Sequence, residues 1–137
     1  MKHIELASRV MKMLLSGDEE VLLILREQYE RANIIFEEDS GVGFYIRYQA
    51  DNAIRIGEGF NNTFQIGDVD GEIDGINGAV GFVLFIKDGY LTMLEGYINS
   101  IDKWPETDAE IKLFYNTEQR DYVSLRKTWT KVNDDVS

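Results

Sequence analysis

Between Ala79 and Glu106 runs AVGFVLFIKDGYLTMLEGYINSIDKWPE, two apolar runs hinged on Asp88-Gly89. Val80–Ile86 is rich in β-branched and aromatic residues and carries no charge, a composition that fits a strand. Asp-Gly between two such runs signals a two-residue hairpin with a type I′ turn, because both turn residues need φ > 0. Tyr90–Ile98 is then the returning strand. This turn pairs Lys87 with Tyr90, Ile86 with Leu91, Leu84 with Met93, Phe82 with Glu95 and Val80 with Tyr97. Strand side chains alternate between faces. One face therefore carries Val80, Phe82, Leu84, Ile86, Leu91, Met93 and Tyr97 around Glu95. The other carries Gly81, Val83, Phe85, Thr92, Leu94, Gly96 and Ile98. Both faces are apolar, which predicts a hairpin at least partly covered on both sides.

Glu95 breaks that pattern. A carboxylate among Phe82, Met93 and Tyr97 is either a functional group in an apolar setting or a structural one. In the second case it sits near the sheet rim, reaches water, or pairs with Arg47. Trp104-Pro105 follows, and proline cannot continue a ladder, so the strand has ended before it. Trp104 is expected to close the core, since large aromatics bury most of their area. Tyr48, Glu95, Tyr97 and Trp104 are the candidate lining of a pocket between helices and sheet.

The rest of the chain supplies what packs on the hairpin. Ile4–Leu15 places Ile4, Leu6, Ala7, Val10, Met11, Leu14 and Leu15 at helical spacing. Ser16-Gly17 ends this helix, and Asp18-Glu19-Glu20 puts acids where the next helix begins. That second helix carries Val21, Leu22, Leu25, Gln28, Tyr29 and Ala32, with Arg26–Glu30 and Glu27–Arg31 as solvated pairs. Asn33–Glu38 and Val42–Gln49 read as strands joined by a turn at Asp39-Ser40-Gly41. Ala50–Asn62 is a loop with Phe60 as its anchor. Thr63–Asp74 reads as a polar strand and Glu110–Tyr115 as a short one. Residues 118–132 favour a helix through Tyr122, Leu125, Trp129 and Val132; a strand through Val123, Leu125 and Trp129 fits less well. Asn133–Ser137 is expected to fray. The fold class is α+β in one domain, residues 1–137. Two N-terminal helices pack on an antiparallel sheet of about five or six strands, with a short C-terminal helix.

A chain of 137 residues suits one core, and 44% hydrophobic residues is ordinary for a folded protein. The formal net charge is −11. That disfavours nucleic acid and anionic membranes as partners and favours a basic protein. There is no cysteine, which removes disulfides, thiol catalysis and thiolate metal sites. The N-terminus lacks the pattern of a signal peptide. No apolar run approaches a membrane span. A cytoplasmic location is expected.

Asp68, Asp70, Glu72 and Asp74 recur at every second residue, so in a strand they form one negative ridge, the candidate surface for a basic partner. As a calcium loop starting at Asp70 the run fails, since its twelfth position is Gly81 rather than Glu. His3 is the only histidine, so zinc sites and histidine-based triads have nothing to build on. Gly41-Val42-Gly43 and Gly57-Glu58-Gly59 lack the spacing of a phosphate loop and read as turns. No cofactor and no metal is expected, and no catalytic residue stands out.

Several segments carry a resemblance: Leu25-Arg26-Glu27-Gln28, Ser40-Gly41-Val42-Gly43-Phe44, Ile66-Gly67-Asp68-Val69, Gly81–Gly89, Leu94-Glu95-Gly96-Tyr97 and Trp104-Pro105-Glu106. Together they resemble small uncharacterised bacterial proteins of this length, some of which look similar to the immunity proteins of polymorphic toxin systems. The resemblance covers most of residues 22–115 and implies no catalytic residue. The expectation is a non-enzymatic acidic binding protein of the kind that inhibits a basic toxin. The alternative is a small-molecule-binding protein or an unusual enzyme with a pocket near Glu95.

Overall fold

The computed structural model describes residues 2–131. Val132 and Asn133–Ser137, for which a helical position and a frayed end were expected, lie outside the described residues. Helix α1 spans Ile4–Leu14 and α2 spans Glu20–Arg31. Six strands follow: β1 (Asn33–Asp39), β2 (Gly43–Gln49), β3 (Phe64–Ile73), β4 (Ile76–Lys87), β5 (Tyr90–Ile98) and β6 (Lys112–Tyr115). Helix α3, Tyr122–Trp129, comes last. The strands form one antiparallel sheet in the order β1-β2-β5-β4-β3-β6. The expected α+β architecture is the one observed.

The predicted hairpin is β4–β5, at the centre of the sheet, and Asp88 (φ 54) and Gly89 (φ 88) make its turn. Lys87 faces Tyr90 and Ile86 faces Leu91, as the turn requires. From there the pairing departs from expectation. Thr92 is an extra residue, so Phe85 faces Met93, Leu84 faces Leu94 and Val83 faces Glu95. Such a bulge moves every later side chain of its strand to the other face. Leu94 and Gly96 thus join Phe82 and Leu84 in the core, while Met93, Glu95 and Tyr97 turn to the opposite side.

A second Asp-Gly turn corrects another expectation. Asp74 (φ 51) and Gly75 (φ 79) close a hairpin between β3 and β4, so the acidic run ends in a turn. The central three strands are therefore a meander.

Helices α1 and α2 lie over one face only. Leu6, Val10, Met11 and Leu14 of α1 and Val21, Leu22 and Leu25 of α2 meet Phe44, Ile46, Ile66, Val69, Phe82, Leu84 and Leu94 in one continuous core. Trp104 closes it as expected, its ring on Phe44 and Phe82 at 5.4 and 6.3 Å. Helix α3 borders β3 where β6 does not reach, with Leu125 and Trp129 buried and Trp129 against Phe64. The opposite face of the hairpin was expected to be partly covered, yet no described element lies across it.

Two arginines hold the C-terminal end of α1, where carbonyls lack helical partners. Arg26 donates to the Leu15 and Gly17 carbonyls, so it is not the expected partner of Glu30. Glu27 and Arg31 do pair, at 3.6 Å. The loop between β2 and β3 is anchored by fully buried Ile56, with Phe60 only partly buried.

Gln28 fastens that loop to α2 and to the hairpin turn. Its amide nitrogen donates to the carbonyls of Ile54 (3.0 Å) and Gly89 (2.8 Å), and its oxygen accepts from the Leu91 N–H at 2.9 Å. The bonds to Gly89 and Leu91 are buried, and a buried backbone donor left alone costs about 1–3 kcal/mol. Gln28→Met should therefore destabilise the protein by about that much. Hydrogen exchange should speed most at the Leu91 amide; uniform exchange across the sheet would mean a general packing loss instead.

Candidate functional site

The uncovered face is built by alternation from all six strands. Row by row across it stand Phe36–Arg47–Met93–Phe85–Gln65, then Tyr45–Glu95–Val83, then Tyr97–Gly81–Asp70–Phe114. Aromatic, methionine and arginine side chains on one bare sheet face are the composition of a binding surface.

Gly81 is small for a reason visible here. A Cβ at that position would strike the Tyr97 ring, which lies across β4 toward Asp70. The Tyr97 phenol is pushed up by partial burial, and then by the charges of Asp70 and Glu95. Asp70 itself is raised, first by burial and then by neighbouring Asp68. Glu95 likewise raises the phenol of Tyr45 beside it, as its largest cause. The two carboxylates thus share one aromatic neighbourhood, and no lysine or arginine among the described residues pairs with either.

The predicted ridge is not one surface. A register shift between Ile66 and Val69 disrupts its alternation at Asp68. Asp68 binds Arg120 through both oxygens, at 2.9 and 3.3 Å. Arg120, only 3% exposed, also donates to the Leu14 and Ser16 carbonyls. Glu72 lies 4.0 Å from Lys112 on the adjacent strand. Asp74 occupies the hairpin turn. Of the run, Asp70 alone joins the aromatic cluster around Tyr97.

The predicted pocket lining is likewise divided between the two faces. Tyr48 and Trp104 are buried on the helix side. There, burial first and Tyr29 second hold the Tyr48 phenol far above its ordinary value. Glu95 and Tyr97 stand on the bare face, so the four do not enclose one cavity. Arg47 does not pair with Glu95.

On the same bare face, toward the Asp88-Gly89 end, lies a cleft of about 660 Å³. Arg47, Phe64, Gln65, Phe85, Lys87 and Met93 line it with Thr63, Thr92 and Thr128 at its edges. It was not foreseen, because its walls come from four strands whose relative register depends on the Thr92 bulge.

A second polar cluster is built on His3, the residue that precedes α1. Its side chain is 0% exposed. Nδ1 lies 2.7 Å from an oxygen of Asp108 and Nε2 lies 3.1 Å from one of Asp39. The ring stacks on Phe44 at 4.5 Å, and Trp104 meets it edge-on. Trp104 Nε1 donates to Asp108, and the His3 backbone N–H donates to Glu37. Asp39 is held down at about 2, first by the Gly41 amide and then by His3. The arrangement joins the N-terminus to β1 and to the 3₁₀ turn Asp108–Glu110. No group of acids and histidines among the described residues is arranged to hold a metal ion.

No helix of the described residues is long and apolar enough to cross a membrane. No family model, curated protein or solved structure matches the chain.

Proposed function

We propose that this protein is a non-enzymatic acidic binding protein that docks a basic protein on its bare sheet face, in the manner of an immunity-type inhibitor of a basic toxin. One observation carries the reading: Asp70 and Glu95 flank Tyr97 on an uncovered face with no cation of the described chain to neutralise them. Burial first, and Asp68 second, disfavours the Asp70 charge in the free protein. A lysine or arginine of a partner would relieve that cost and lie on the Tyr97 ring, an arrangement worth more once water is excluded. The −11 charge would speed the encounter.

The free protein should register the strain. Asp70 has its folded pKa raised, so its ionised form opposes folding above the usual carboxylate range. Asp70→Asn should therefore raise Tm at neutral pH, and the gain should vanish as the pH falls below that range. An Asp70→Asn protein no more stable than the parent at pH 7 would mean the carboxylate is unstrained.

The binding test is capture from lysate of the source cells, at low and high salt, with the Asp70→Asn/Glu95→Gln variant beside the parent. A basic protein held by the parent at low salt, released by salt and not held by the variant, supports the reading. Equal capture by both proteins overturns it.

A further inference from the structure

We infer that the cleft between β2, β5, β4, β3 and α3 binds a small organic carboxylate with an apolar body. The first ground is charge. Arg9, Arg26, Arg31, Arg55, Arg120 and Arg126 each bond a protein oxygen, while Arg47 has no partner among the described residues. Lys87, like Lys12, Lys103 and Lys127, has none either, and it lines the same cleft as Arg47. Two left free at the same opening form a local positive site in a negative molecule.

The second ground is shape and lining. A volume of about 660 Å³ falls within the range of small-ligand sites. Phe85 and Met93 supply an apolar floor, and Thr63, Gln65, Thr92 and Thr128 supply hydroxyl and amide groups around it. An arginine presents a planar fork that suits a carboxylate through two parallel hydrogen bonds. The chemistry of the occupant follows: an apolar, flat or flexible body on Phe85 and Met93, with its carboxylate between Arg47 and Lys87. This site is separate from the Asp70–Tyr97–Glu95 cluster and opposite to it in charge preference.

The test is a ¹⁵N-correlation NMR titration with 2-naphthoate, repeated with its neutral analogue 2-naphthamide. Saturable shifts confined to the segments around Arg47, Phe64, Phe85 and Met93 are expected. The amide should bind at least tenfold more weakly. Arg47→Met and Lys87→Met, both at exposed positions, should each weaken naphthoate at least tenfold with unchanged Tm. Asp70→Asn should leave naphthoate binding in place, which separates this inference from the docking of a basic partner. Absence of saturable shifts, shifts centred elsewhere, or equal affinity for the amide or for both variants would overturn it.

Discussion

Replacing Arg120 with methionine should cost the fold about 3–5 kcal/mol, the range for removing one partner of a buried ion pair. In a domain of this size that lowers Tm by roughly 10–15 °C. The guanidinium is 3% exposed and sits 5.0 Å from the Tyr115 ring centre and 5.3 Å from that of Tyr122. It neutralises Asp68 and satisfies two carbonyls at the end of α1, so one side chain joins the last helix segment, the β3 bulge and the first helix. Methionine fills much of the space and meets none of the oxygens. Adding Asp68→Asn should recover part of the loss, because the neutral amide no longer needs a counter-charge. If the double variant is as unstable as Arg120→Met alone, the carbonyls of α1 carry the effect and the ion pair does not.

That contact shows where sequence patterning stops. The helices, the six strands and their class follow from apolar spacing and two Asp-Gly turns, which are local signals. The turn at Asp74-Gly75 was equally legible, but the acids on either side invited a reading as a continuous ridge. A bulge has no such signature. Thr92 adds one residue to β5, and from that point Glu95 and Tyr97 change faces while Leu94 takes their place. The hairpin's apolar second face was visible, yet whether anything covers it depends on where the helices go. Both settle over Phe82 and Leu84, so Val83, Phe85 and Met93 stay open. The candidate site therefore consists of residues whose types were readable and whose neighbours were not. Arg47 illustrates the point: it was a plausible partner for Glu95, and it is instead the one arginine with no hydrogen-bond or ion-pair partner among the described residues.

His3→Leu should destabilise the protein by about 2–4 kcal/mol at neutral pH, somewhat under the cost of breaking a fully buried pair because Asp39 keeps access to water. Leucine preserves an apolar contact with Phe44 but leaves Asp39 and Asp108 facing a side chain with no polar atom. The pH dependence separates the lost polar contacts from lost packing. Asp39 titrates at about 2 in the fold against an ordinary 3.8. A lowered carboxylate stabilises above its unfolded pKa, and that contribution is lost as pH falls through the folded one. The parent should thus lose this stability between about pH 4 and pH 2. In His3→Leu the Gly41 amide still lowers Asp39, but the histidine no longer does, so less is lost over the same interval. The gap between the two proteins should narrow on acidification, read by denaturant melts from pH 7 down to pH 2. A constant gap would assign the whole effect to the ring's packing between Phe44 and Trp104. A lone histidine two residues from the chain start offers no sequence signal for this role; the strands and the 3₁₀ turn that supply its carboxylates lie 36 and 105 positions away.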